Sequence, residues 1–218
     1  AIIRKWKWLR MVAFIGILAM LSGVMFGCTT AGDETKGNVV LGYVEWDSEI
    51  ASTNVIKTVL EDEGYNVTAT AVDAGIMWRG LAQGDFDAIV AAWLPDTHGA
   101  YYAGLQDNVE NLGPNLEGAK IGLVVPAYVD IDSIEEINDV KEQFNQEIIG
   151  IEPGAGIMSA TERAIEEYDL DFVLRDSSSP AMAATLSNAI QENRWVAVTG
   201  WTPHWKFAEW DLKYLDDP

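Results

Sequence analysis

One cysteine, two histidines and 14 basic residues against 34 acidic ones leave this 218-residue chain short of the parts on which much catalysis and nucleic-acid binding depend. With Cys28 alone, neither a disulfide framework nor a cysteine cluster with zinc spacing is available. The chain contains no Gly-x-Ser-x-Gly elbow and no His-Glu-x-x-His pair. Its few basic residues are also segregated. Four of them (Arg4, Lys5, Lys7, Arg10) precede Cys28, where no acid occurs, and ten follow it among all 34 acids, a formal charge of −24 for that part. So acidic a body is repelled by phosphate backbones and anionic headgroups, which argues against nucleic acid as a partner. Apolar runs are short as well. The longest, residues 11–27, falls below the roughly 20 residues of a spanning helix.

That run identifies the first 28 residues as a targeting segment. A basic start, an apolar stretch and the ending Val24-Met25-Phe26-Gly27-Cys28 read as a lipoprotein signal peptide over 1–28. The end resembles the lipobox of bacterial lipoproteins, in which Cys28 is diacylated, although Met25 and Phe26 replace the usual Leu and small residue. An uncleaved anchor and a structural cysteine are the alternatives. Residues 29–37 read as a flexible tether. Ala1 in place of Met, and an abrupt end at Asp216-Asp217-Pro218, lead us to expect a fragment.

From Asn38 onward, β-rich runs at 38–44, 65–72, 87–92, 120–125, 147–151, 171–174 and 195–199 alternate with helical spacing, the signature of α/β architecture with largely parallel sheets. Helices are expected at 47–63, with Ile56, Val59 and Leu60 on one face and Asp47 and Glu49 in the first turn, where the dipole favours acids. Others are expected at 132–143, at 156–168, and at 180–191 with Met182, Leu186, Ala189 and Ile190 inward. The halves echo one another: Trp46 lies 47 residues before Trp93, and Gly156 lies 45 before Trp201. This predicts two lobes, 38–125 and 126–218, with residues 121–126 crossing between them and a ligand at the carboxyl ends of the strands.

Trp46, Trp93 and Trp201 each stand at a predicted strand end, and Trp93-Leu94-Pro95 and Trp201-Thr202-Pro203 occupy equivalent places. Indoles gathered there suit a flat or cationic small molecule. Trp78, Trp195, Trp205 and Trp210 read as packing or interface residues. Pro153-Gly154-Ala155-Gly156-Ile157 joins a strand to a helix; plain turn geometry and an anion site at the helix start both remain open. It lacks the third glycine and the Gly-Lys-Ser/Thr ending of phosphate loops. Taken together, the features specify a zwitterion: a quaternary ammonium between indoles and a carboxylate at backbone N–H groups. His98 is either a carboxylate donor or a surface-loop residue, and His204 holds the equivalent place. The acid runs lie on predicted solvated faces, which leaves a hydrolase with paired carboxylates as a remote alternative.

Four segments, Leu41 to Ala51, Ala92 to His98, Ile149 to Met158 and Val198 to Trp205, resemble the glycine betaine-binding lipoproteins of osmoprotectant ABC importers, over about 39–218. The resemblance implies a two-lobed type II periplasmic-binding-protein fold, each lobe a mostly parallel sheet flanked by helices. It implies a tryptophan cage of Trp46, Trp93 and Trp201, a carboxylate held by the amides of Gly156 and Ile157, and assistance from His98. It further implies a non-enzymatic receptor without cofactor or metal. The receptor would be anchored outside the cell membrane through Cys28 and would work with a permease and an ATPase. Choline or carnitine is the alternative ligand. Relatives usually continue past Pro218 with a largely helical segment, and some carry the two halves in the opposite order.

Overall fold

Short β-branched runs punctuated by Gly, Pro and acidic helix starts build two five-stranded sheets. The structure is a computed structural model and describes residues 2–4 and 35–218. In chain order come β1 (Ile2–Arg4), β2 (Asn38–Tyr43), α1 (Asp47–Asp62), β3 (Asn66–Ala71), α2 (Ala74–Gln83), β4 (Ala88–Ile89), α3 (Gly99–Ala103) and β5 (Val109–Asn111). The second half brings β6 (Lys120–Pro126), a 3₁₀ segment (Ile134–Phe144), β7 (Glu147–Ile149), α4 (Gly156–Glu167) and β8 (Val173–Arg175). After these follow α5 (Ser179–Gln191), β9 (Ala197–Thr202), α6 (Lys206–Glu209) and β10 (Leu212–Tyr214).

The sheets are ordered β3-β2-β4-β1-β5 and β10-β6-β9-β7-β8. β2 pairs in parallel with β3 and β4, and β7 in parallel with β8 and β9. The units β2-α1-β3-α2-β4 and β7-α4-β8-α5-β9 therefore repeat one another element for element, which is the structural form of the sequence echo. Parallel neighbours need crossovers, and helices supply them. Local chemistry fixes the helix ends. Ser178 accepts from the Ala181 N–H at 3.3 Å with Pro180 in the first turn of α5, and Gly84 closes α2 at φ 88°, a left-handed stop that favours glycine.

Several expectations change. Strand pairing puts the change of lobe between Asn111 and Lys120 rather than at 125/126. β6 does not cross between lobes; it pairs antiparallel with β9 and β10 inside the second sheet. The segment expected as helix 132–143 is 3₁₀, interrupted at Val140 (φ −125°), although its Ser133–Glu136 capping box is present. Within the span assigned to the signal peptide, Ile2–Arg4 pair antiparallel with β4 and β5, a place a β-prone Ile-Ile pair suits. The remainder of that segment, Cys28 and residues 29–34 of the tether lie outside the described residues. On α1 the stripe read as a shared face points outward, with Val59 52% exposed, while Glu49 and Thr53 are buried. A bond from the Val44 N–H to Glu49 Oε2 (2.8 Å) pins that rotation.

Two cores result. One, with Leu123, Ile137, Phe144, Ile148 and Leu170, belongs to the second lobe. The other runs across both lobes, joining Trp46, Met77, Trp78 and Ile89 to Ile151, Ile157, Met182 and Trp201.

Candidate ligand-binding site

The repeat places its equivalent elements at the carboxyl ends of the parallel strands, where open α/β sheets bind ligands. Trp46 follows β2 as the residue capping α1, in extended conformation, and Gly156 opens α4 in the equivalent turn after β7. Trp93 follows β4, and Trp201 sits near the end of β9. Leu94–Pro95 and Thr202–Pro203 are both cis.

These positions converge. A narrow cavity between the lobes is lined by Trp46, Trp93 and Trp201 with Thr97, Ile121, Ile151 and Ile157. The Trp46 and Trp201 ring centroids lie 6.2 Å apart at 52°. His98 and Gly156 are not among the lining residues, although each adjoins one in the chain, Thr97 and Ile157. The buried His98 stacks on Trp46 at 5.7 Å and accepts the Trp93 backbone N–H at Nδ1 (3.1 Å). Burial lowers its pKa to about 4, so the imidazole is neutral near pH 7 and the proton is assigned to Nε2, which has no hydrogen-bond partner among the described residues. The surface-loop alternative for His98 is thus replaced by a buried donor without an acceptor. At the start of α4, Met158 donates to Ala155 O, while the N–H groups of Gly156 and Ile157 precede the first helical bond. His204 instead braces Trp201, edge to face at 4.8 Å, and accepts the Lys206 N–H.

The cavity is closed by bonds between lobes. The Trp46 indole donates to Glu152, Tyr101 OH donates to Gly154 O (2.9 Å), and the Trp205 indole donates to Asp47 (2.5 Å). Thr97 O lies 2.1 Å from where a Cβ on Gly156 would stand. The sequence gives no sign of Glu152, Tyr101 or Thr97 as site residues and marks Asp47 only as a first-turn acid, because nothing in a single chain shows which residues meet across a cleft. Trp78, read as packing, is buried beneath the site, edge to face with His98 at 5.6 Å.

Glu49 stands in the first turn of α1, where the helix dipole favours an acid. It is 1% exposed, and burial pushes its pKa up to about 8, opposed by the Val44 N–H and the Trp93 indole and reinforced by Glu152. The folded protein therefore holds this proton to a higher pH than the unfolded chain, which releases it near 4.5. Stability from this group is full below about pH 4.5 and declines as pH rises to about 8. Glu49→Gln should be more stable than the parent by about 1–3 kcal/mol at pH 8, with the gap closing at acid pH. Urea midpoints of both proteins at pH 5 and pH 8 check this; a gap that does not change with pH would assign the effect elsewhere.

Residues 37–218 match the family model described as the substrate binding domain of the ABC-type glycine betaine transport system. A stretch of 111 residues is 50% identical to the glycine betaine/carnitine transport binding protein of Listeria monocytogenes, covering 50% of this chain and 36% of that protein. The match thus spans about a third of that relative's length. Lactococcal OpuAC, in its closed-liganded conformation complexed with glycine betaine, is 45% identical with a TM-score of 0.79, over 84% of this chain and 71% of that one. The glycine betaine, L-proline-binding protein ProX of Borrelia burgdorferi is 42% identical with a TM-score of 0.81, over 83% and 69%. These neighbours share the two-lobed type II binding-protein fold that the sequence implied.

Proposed function

This chain belongs to the family of substrate-binding domains of ABC-type glycine betaine transport systems, and from that premise we propose that it is the receptor that captures glycine betaine outside the cytoplasm. In this reading it delivers the ligand to the permease and ATPase of an importer, tethered to the outer face of the membrane through Cys28. One observation carries the ligand assignment: three indoles from two lobes line a single cavity that also contains Ile157.

The chemistry follows from that arrangement. A trimethylammonium has no N–H to donate and spreads its charge over methyl groups, so indole faces suit it, each worth about 0.5–2 kcal/mol when water is excluded. The carboxylate would meet the N–H groups of Gly156 and Ile157 and the Nε2–H of His98. Each charge-assisted bond adds about 1.5–3 kcal/mol. After ordering costs, micromolar affinity, about 8 kcal/mol, is in reach. Closure belongs to the same step, because the cage is complete only when Trp201 of the second lobe faces Trp46 and Trp93 of the first.

No catalytic step is assigned. The carboxylates nearest the cavity are already engaged, Glu49 with the Val44 N–H and Glu152 with the Trp46 indole, so they do not form the free pair a hydrolase needs. Choline would leave the Gly156, Ile157 and His98 donors unpaired, at a cost of about 1–3 kcal/mol for each buried one; carnitine keeps a carboxylate but adds bulk to a narrow cavity. Tryptophan fluorescence titration should give micromolar binding of glycine betaine and at least about thirtyfold weaker binding of choline. Tighter binding of choline, or no response to any quaternary amine, refutes the assignment.

A further inference from the structure

Lys206, the first residue of α6, is wholly buried, yet no carboxylate lies within ion-pair distance of it among the described residues. Buried ammonium groups are costly unless paired, so this one calls for an explanation. Its Nζ donates to Thr199 O at 3.2 Å and sits 4.6 Å above the centroid of the Trp201 ring. Phe207 offers a second ring at 5.8 Å. The ammonium is thus in cation–π contact with Trp201, a ring that lines the cavity, while Lys206 itself is not part of that lining. The titratable groups around it are His204, which accepts the Lys206 N–H at 3.1 Å, Asp47, 3.8 Å from His204 Nε2, and Tyr214, stacked on Phe207 at 5.1 Å.

We propose that Lys206 is a positioning residue that sets how strongly Trp201 holds a cationic ligand: its ammonium already occupies the indole's π system from outside the cavity lining and weakens the ring's hold on a second cation. The proposal rests on the betaine-receptor reading above. Two cations against one ring share a single quadrupole and repel one another through a dry interior, where Coulomb forces reach further than in water. A receptor that must hand over its ligand gains a faster release from such a brake. The brake is also adjustable. Burial lowers the Lys206 pKa to about 7, and His204, lowered to about 4, is neutral there. As pH rises through about 7, Lys206 loses its charge and the hold on a cation tightens. Glu49 titrates near 8 and acts with the same sign, so it needs its own control.

The test measures glycine betaine affinity of the parent, Lys206→Met and Glu49→Gln at pH 6 and pH 9. Lys206→Met should bind about tenfold tighter than the parent at pH 6, and the two should agree within about twofold at pH 9. Glu49→Gln should keep the Lys206-dependent rise. Equal or weaker binding by Lys206→Met at pH 6 overturns the proposal. A second measurement needs no ligand and no successful variant. Tryptophan emission of the free parent protein should show a titration step near pH 7, and a featureless profile overturns the proposal. A parent protein that binds no quaternary ammonium but keeps the step in the Glu49→Gln background sinks the receptor reading, whereas betaine binding without that step sinks the brake alone.

Discussion

Trp201→Ala should raise the dissociation constant for glycine betaine by at least about a hundredfold, roughly 3 kcal/mol. The ring is 3% exposed, lies on a central strand between β6 and β7, and faces Trp46 across the cavity. Removing it takes away one cation–π face directly. It also opens the second-lobe wall, so water reaches the remaining indoles and weakens them too. Burial adds a stability cost of about 3–5 kcal/mol, so binding must be measured where circular dichroism shows the variant folded. Trp201→Phe separates the two effects, because it keeps a ring in place and should lose only about tenfold. Calorimetry or fluorescence from the remaining indoles reads both. If Trp201→Ala bound within a few-fold of the parent, the cage would have to be built from other residues.

Much of this site was legible in the sequence because the repeat carries it. A unit of strand, helix, strand, helix and strand occurs twice. Its two informative corners, the start of the first helix and the end of the third strand, give Trp46 and Trp93 in one copy and Gly156 and Trp201 in the other. Hydrophobic spacing worked where a helix packs on a sheet in the ordinary way, as for Met182, Leu186 and Ala189 on α5, all buried. It failed on α1, where a buried glutamate rather than an apolar stripe sets the rotation. Nor did it assign β6 correctly, since an apolar strand looks the same whether it closes one sheet or sits inside the next. Lys206 was invisible for a related reason. A lysine in the amphipathic stretch Trp205-Lys206-Phe207 reads as its solvated member, and only three-dimensional packing puts it against the Trp201 indole.

Gly156→Ala should abolish tight binding while leaving both lobes folded. The added Cβ would stand 2.1 Å from Thr97 O and 2.6 Å from Thr97 Cγ2, where real contacts need more than 3.0 Å. The obstacle is mainly backbone, so Thr97→Gly in the same protein would remove the methyl clash and leave the carbonyl in the way. Neither lobe alone meets this conflict, because Gly156 opens α4 in the second lobe and Thr97 belongs to the loop before α3 in the first. Alanine in the first turn of α4 is, if anything, favourable for the helix. The backbone N–H proposed to meet the carboxylate is also retained, which separates closure from hydrogen bonding. The loss therefore reports the approach of the lobes. A retreat of about 1 Å at this point loosens the Trp46–Glu152 and Tyr101–Gly154 bonds together and misplaces the indoles for a ligand held on both sides. We expect a dissociation constant at least about a hundredfold higher, and a small-angle scattering radius that stays large when glycine betaine is added, whereas the parent contracts. A variant that bound within about threefold of the parent and contracted as the parent does would show that the loop at Thr97 yields, and that closure does not depend on so close an approach.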